Sequence, residues 1–262
     1  MVLALGLLVT FTAWSVFPWW MPPLSEGGIL VLQLTRYIAP LVLCAVALIF
    51  LIVPAPVPGR SGTAALAPRT LTSFTSRAWL GTLACGVAAV FTTAVLAGLA
   101  SRPDGSGKYL MYQVQASSNS SASTTIYGWW FSTHCLILVA ILVAMALIGL
   151  IVISHPALAL DEQGDTAIRT ARVRNILAVT AGGLLLHLSA VLQSLYATSS
   201  LRTGMTAGPA GWVELGTSFA AVGPALQLAA VIAFILGMAL WWSTLLSVLP
   251  SWSRQANKSV PA

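Results

Sequence analysis

Charge is what this sequence has least of. Only 7% of its 262 residues are Asp, Glu, Lys or Arg and 58% are hydrophobic, whereas a soluble domain carries about 25% charged residues. A water-soluble fold is excluded. Lysine occurs only at Lys108 and Lys258 against ten arginines, and Ala, Gly and Pro are abundant. That balance fits the codon bias of a GC-rich bacterial genome.

Acids are scarcer still, and none lies in an apolar run. Glu26, Asp104, Asp161, Glu162, Asp165 and Glu214 all fall between the runs. Ion-coupled transporters and proton pumps generally place carboxylates within the membrane. Membrane enzymes built on a carboxylate dyad, a metal cluster or a Ser/Lys pair need groups that these runs do not hold. The expectation is a protein that is not an enzyme.

Cysteine is rare and scattered. Cys44, Cys85 and Cys135 sit inside apolar runs without a Cys-x-x-Cys spacing, so neither a disulfide framework nor a thiolate zinc site is indicated. They read as small apolar residues. A cleavable signal is not indicated either, because the run from Val2 has no basic residues before it and Trp19-Trp20-Met21-Pro22-Pro23 offers no small-residue cleavage site.

What is present is a recurring apolar length. A bilayer core about 30 Å thick takes roughly 20 residues of helix. Six segments satisfy that: 2–20, 31–54, 78–100, 129–154, 175–197 and 220–248. The expected fold is an all-α polytopic membrane protein, a single six-helix transmembrane domain spanning 1–262, with both termini on one side. Arg36 and Pro40 make the start of the second span the least defined.

The net charge of +6 sorts by membrane side and points to no nucleic-acid partner. Segments 55–77 and 155–174 and the tail carry Arg60, Arg69, Arg77, Arg169, Arg172, Arg174, Arg254 and Lys258, against Arg36, Arg102, Lys108 and Arg202 on the other side. This eight-to-four imbalance places both termini in the cytoplasm of a bacterial inner membrane. Tryptophans at Trp19, Trp20, Trp129, Trp130 and Trp212 mark the outer interface, and Trp79, Trp241, Trp242 and Trp252 the inner one.

The loops differ in kind. Residues 55–77 are rich in Pro, Gly, Ser and Thr and read as a flexible linker. Segment 159–174 places its acids first and its arginines last, as a helix running into the membrane would, with arginines suited to anionic lipid headgroups. In the extracytoplasmic loop 101–127, Lys108–Gln115 has strand character and Ala116–Thr125 reads as a disordered polar tract. Asp104-Gly-Ser-Gly-Lys108 lacks full phosphate-loop spacing. Asn119-Ser-Ser is a sequon to which no role is assigned. The two halves of the chain show no internal repeat of the transporter kind.

Polar and small residues inside the spans are the candidate site. Gly81, Cys85, Ala89, Thr93 and Ala97 recur at intervals of four and predict a helix-packing seam on the third span. Thr180, Gly183, His187, Ala190 and Ser194 predict a small, polar face on the fifth. Gly223, Gln227, Ala230 and Gly237 share a face of the sixth, with Pro224 an expected kink. At 1.5 Å per residue, His134, Gln227 and His187 lie roughly 7, 10 and 12 Å below the outer interface, and Arg36 lies at it. These four are placed to form one intramembrane polar layer.

Two histidines on adjacent helices would suit haem or, with Met or Cys, copper. Packing is favoured over ligation, because each helix offers one histidine and Cys135 points about 100° away from His134. His134 is then interhelical glue and Cys135 core. His155, before Pro156, reads as a helix cap.

Two functions remain. The first is a non-catalytic membrane subunit packed among other integral subunits of a respiratory or cell-envelope complex, with membrane lipids bound around it. The second follows from architecture: six spans, about 260 residues and cytoplasmic termini resemble an ABC-2-type exporter permease. That resemblance implies a separate ATPase subunit as partner and makes 55–77 the coupling element, although this segment is not clearly helical and no amphipathic helix precedes span one. A haem- or copper-handling protein using His134 and His187 is a minor third reading.

Overall fold

The computed structural model describes residues 26–53, 75–117, 120–154, 162–206 and 212–248. The expected span 2–20, nearly all of the 55–77 linker, His155 and the tail from 249 lie outside those residues. Five described helices are long and apolar enough to cross a membrane, so the count of six and the side of the termini rest on sequence alone.

Helix α1 runs from Glu26 to Ile52 and carries Pro40 in its interior. It starts before the expected residue 31 because its first turns pack on other elements. Leu30 and Leu34 join the core, and Gln33 Nε2 donates to Thr125 Oγ1 at 3.5 Å. Helix α2 spans Arg77–Ala100, its first turn capped by Ser76 Oγ accepting from Trp79 N. Helix α3 spans Trp129–Ser154, as its apolar run predicts.

Helix α4 spans Glu162–Ser199, 38 residues, or about 57 Å. It unites the expected inner segment and the fifth span in one rod, longer than a bilayer core of about 30 Å. Helix α5 spans Gly223–Val248, preceded by a 3-10 turn at Ala220–Val222.

The bundle is arranged around α4. In its most apolar window 78% of residues are buried, against 22–33% in the other four helices. Three consecutive residues explain how. A Cβ at Gly182 would meet Trp241 Nε1 of α5 at 2.7 Å, one at Gly183 would meet Cys44 Cβ of α1 at 2.7 Å, and Leu184 lies against Gly86 of α2. Successive helical residues turn by 100°. Small residues at these contacts, Gly182 and Gly183 on α4 and Gly86 on α2, thus let separate helices approach from separate sides.

The extramembrane end at which α2 stops and α3 starts is built from strands. Strands β1 (Arg102–Pro103), β2 (Tyr109–Ser117) and β3 (Ser120–Thr125) form an antiparallel sheet in that order, with Met111 paired to Thr125 and Gln115 to Ser121. The Ser/Thr tract expected to be disordered is therefore partly strand. Its backbone pairs with β2, which supplies the order that its own composition does not.

A second hairpin, β4 (Arg202–Thr206) with β5 (Trp212–Gly216), was not anticipated from the sequence. Tyr112 ties the first sheet to the turn that follows β5: its hydroxyl lies 2.9 Å from Ser218 Oγ and its ring packs edge-on to Phe219.

Candidate functional site

The polar groups that α4 turns inward meet α1 near the sheet end. His187 is fully buried. Its Nδ1 lies 2.9 Å from the carbonyl oxygen of Tyr37, and its Nε2 lies 3.4 Å from the Tyr127 hydroxyl. A carbonyl can only accept, so Nδ1 carries the proton and the phenol donates to Nε2. Tyr127 sits between β3 and α3, outside the helices. Burial, chiefly, pushes its phenol pKa up, which keeps that donor protonated.

Tyr37 ties the cluster together. Its hydroxyl donates to Ser194 Oγ at 2.7 Å, and its ring packs edge-on to Tyr127 and Phe131 at centroid distances of 4.8 and 5.3 Å. Pro40, three residues on, has no N–H to donate to the Arg36 carbonyl four residues before it, which loosens the turn that contains Tyr37. In a membrane helix such a turn is commonly completed by a neighbour, and here α4 sends in His187.

The α4 face continues beyond the histidine. Thr180 and Gly183 are buried, while Ala190 and Ser194 are half-buried. Cys44 Sγ lies 3.4 Å from Val179 O. On the α5 side, Trp241 Nε1 donates to Val179 O at 3.1 Å and Ser189 Oγ to Ala230 O at 2.8 Å. Gly237 and Ala230 of α5 are buried against this region.

The rest of the expected layer does not converge. His134 is exposed; its Nδ1 bonds within its own helix to Trp130 O at 2.7 Å, and its ring lies beside the Trp130 indole. Gln227 is exposed on α5. Arg36 is exposed and donates to Gln193 Oε1 at 2.6 Å, linking α1 to α4 outside the buried cluster. With His134 facing out and both ring nitrogens of His187 engaged, the two histidines are not presented to one ion. Cys135 is buried beside Tyr127.

The stripe expected on α2 is likewise displaced. Gly81 and Cys85 are exposed, Ala89 and Thr93 half-buried, and only Ala97 is buried. The buried residues are Leu83, Val90, Ala94, Ala97 and Gly98. A four-residue step overshoots a full turn by about 40°, so four steps drift about 160°. The stripe winds from the outside of the bundle into it and cannot be one face.

At the other end of the bundle, two arginines do something the sequence did not suggest. Arg169, fully buried, donates to Ile153 O at the end of α3. Arg172 Nη2 donates to Leu51 O at 2.9 Å and Val53 O at 3.0 Å at the end of α1. Helix C-termini leave carbonyls without intrahelical partners, and a cation also suits the negative end of the helix dipole. Side chains three apart share a face, so one stretch of α4 closes two other helices. Nearby, Asn175 and Ser247 hydrogen-bond across α4 and α5 at 2.9 Å.

Two residues of the buried cluster, Tyr37 and Tyr127, and the helix-capping role of Arg169 and Arg172, were missed by sequence reasoning. The available signal was position: Tyr37 precedes a proline within a span, and Tyr127 precedes a tryptophan pair. No protein-family model, no curated protein and no solved structure matches this chain.

Proposed function

We propose that the protein is a non-catalytic integral membrane subunit that packs within a larger complex of the bacterial cytoplasmic membrane, of the respiratory or cell-envelope kind. The observation that supports this reading is the use made of the inward polar groups. His187, Tyr37, Tyr127, Ser194 and Arg172 are bonded from one element to another, so they hold helices rather than line a path. In that reading α4 is a scaffold, and the outer helices present apolar faces to lipid or to neighbouring subunits.

Those faces are extensive. Phe91, Leu96 and Leu99 of α2 and Leu228, Ile232 and Ile235 of α5 are exposed. The charge distribution of the whole sequence favours cytoplasmic termini, which would put the sheets on the extracytoplasmic side.

Photo-crosslinking residues placed at Phe91, Leu96 and Leu228 in native membranes test the proposal. Crosslinks to other integral subunits are expected. A dominant crosslink to an ATPase assembly would replace this reading with the exporter permease. An absence of protein crosslinks at all three positions would contradict both.

A further inference from the structure

The second hairpin presents one face that is open along its length. The register of β4 and β5 sets Arg202 opposite Gly216 and Gly204 opposite Glu214, and directly opposed residues share a face. Trp212, two residues before Glu214, is on that face too. Its indole leans over Gly204, where a Cβ would meet Trp212 Nε1 at 2.9 Å. We propose that Trp212, Glu214 and Arg202 bind a gluco-configured pyranose ring of a glycan, the ring stacked on the indole and its hydroxyls bonded by the two charged side chains.

Gly204 makes the platform. With no side chain there, the indole rests on the strand backbone, which holds one side of it while 68% of Trp212 stays exposed. Glu214 and Arg202 are exposed on the same face, and Gly216, opposite Arg202, adds no side chain to fill the space between them. Neighbouring positions on one face of a hairpin lie about 5–8 Å apart. Indole, carboxylate and guanidinium thus surround an area that one sugar ring covers. Among the described residues, neither charged side chain has a hydrogen-bond or ion-pair partner. A carboxylate that only accepts and a guanidinium that only donates stand free at the rim of an aromatic surface.

The chemistry of these three groups selects the ligand. An indole face is electron-rich and attracts weakly positive C–H bonds, and a pyranose with equatorial hydroxyls offers a face of axial C–H bonds. Its hydroxyls, splayed at the rim, both donate and accept, so adjacent ones suit Arg202 and Glu214 together. A single indole is too small an apolar surface for a stable protein interface, which takes about 800 Å² per partner. A headgroup layer is disfavoured as well, because anionic lipid repels the carboxylate beside the indole. The charge distribution that favours an extracytoplasmic side for this hairpin would make the ring part of an envelope glycan. That location rests on the proposed function, whereas the ring chemistry does not.

Saturation-transfer difference NMR of the full chain in nanodiscs, free of glycoside detergents, tests the site. The probe is cellohexaose, and the control is β-1,4-mannohexaose, whose 2-hydroxyls are axial. Transfer should fall on the axial ring protons of cellohexaose and be weaker to mannohexaose. Trp212→Ala should lower the affinity for cellohexaose at least about fivefold. Because the indole also covers Gly204, Arg202→Ala/Glu214→Ala supplies a variant that leaves that packing in place, and it should cost at least about threefold. No transfer from the wild type to cellohexaose, or equal affinity in wild type and both variants, would overturn the proposal and leave Trp212 as an interfacial anchor. Equal transfer to mannohexaose would overturn the gluco configuration. The measurement needs no partner subunit, so its failure and the failure of the scaffold reading are told apart.

Discussion

The imidazole Nδ1 of His187 on α4 lies 2.9 Å from the backbone carbonyl oxygen of Tyr37 on α1. One side chain thereby joins the central helix to the proline-loosened turn of its neighbour, and through Tyr127 it also reaches the segment that leads from the sheet into α3. A histidine so placed is a fastening, and its replacement should be felt as lost stability.

His187→Phe keeps much of the volume but leaves the Tyr37 carbonyl without this donor. It should lower stability by about 1–2 kcal/mol, the range for interhelical hydrogen bonds and buried unpaired acceptors. His134→Phe, at an exposed position, should cost under about 0.5 kcal/mol. Unfolding of detergent-solubilised protein by SDS titration measures both, and equal losses would contradict the assignment of roles.

Close approach of α4 and α1 depends on Gly183. A methyl there meets Cys44 Cβ at 2.7 Å, so Gly183→Ala should destabilise by about 1–3 kcal/mol through overpacking. Adding Cys44→Gly should recover part of the loss. Gly81→Ala, with nothing within 4 Å of the new Cβ, should be neutral or stabilising. Thermal melts of the four proteins decide the point.

How much of this was legible in the sequence depended on whether a residue's partner was local. Trp129-Trp130 marked the start of α3 because interfacial tryptophans announce a membrane helix by themselves. The inward face of α4 could be read because small and polar residues there alternate at spacings of three and four. His134 was misplaced because α3 is apolar on nearly every side, so nothing local says which side faces in. The Ser/Thr tract hid a strand because its order comes from Met111–Gln115 across the ladder. Arg169 and Arg172 read as topology signals because the carbonyls they serve belong to helices about 16 and 120 residues away.

Removal of those capping arginines should act by burial. Arg169→Met withdraws a charged donor from the end of α3 and should cost about 1.5–3 kcal/mol. Arg174→Met, on the exposed side of the same helix, should leave stability nearly unchanged. Proteolysis or hydrogen exchange at the α3 end would localise the effect, with faster exchange near Ile153 expected only in Arg169→Met.

The turn that holds Lys108 should respond to acid. Donation from the Lys108 N–H, and then from Ser106, holds the Asp104 carboxyl below the usual carboxylate range. Its folded value is depressed, so its contribution is complete above the unfolded pKa of about 3.9. The contribution is lost as pH falls through the lower folded value. Amide protection factors at Ser106 and Lys108, exchange rates taken relative to the unstructured chain at the same pH, should therefore fall in that acidic window, and Asp104→Asn should remove that pH dependence.

The role proposed for this bundle is that of a scaffold inside a larger assembly. Affinity purification from native membranes in a mild detergent, followed by quantitative mass spectrometry of whatever co-elutes, tests that most directly. The prediction is stoichiometric recovery of other integral membrane subunits. A stoichiometric ATPase as the principal partner would contradict it and assign the protein to an export machine instead.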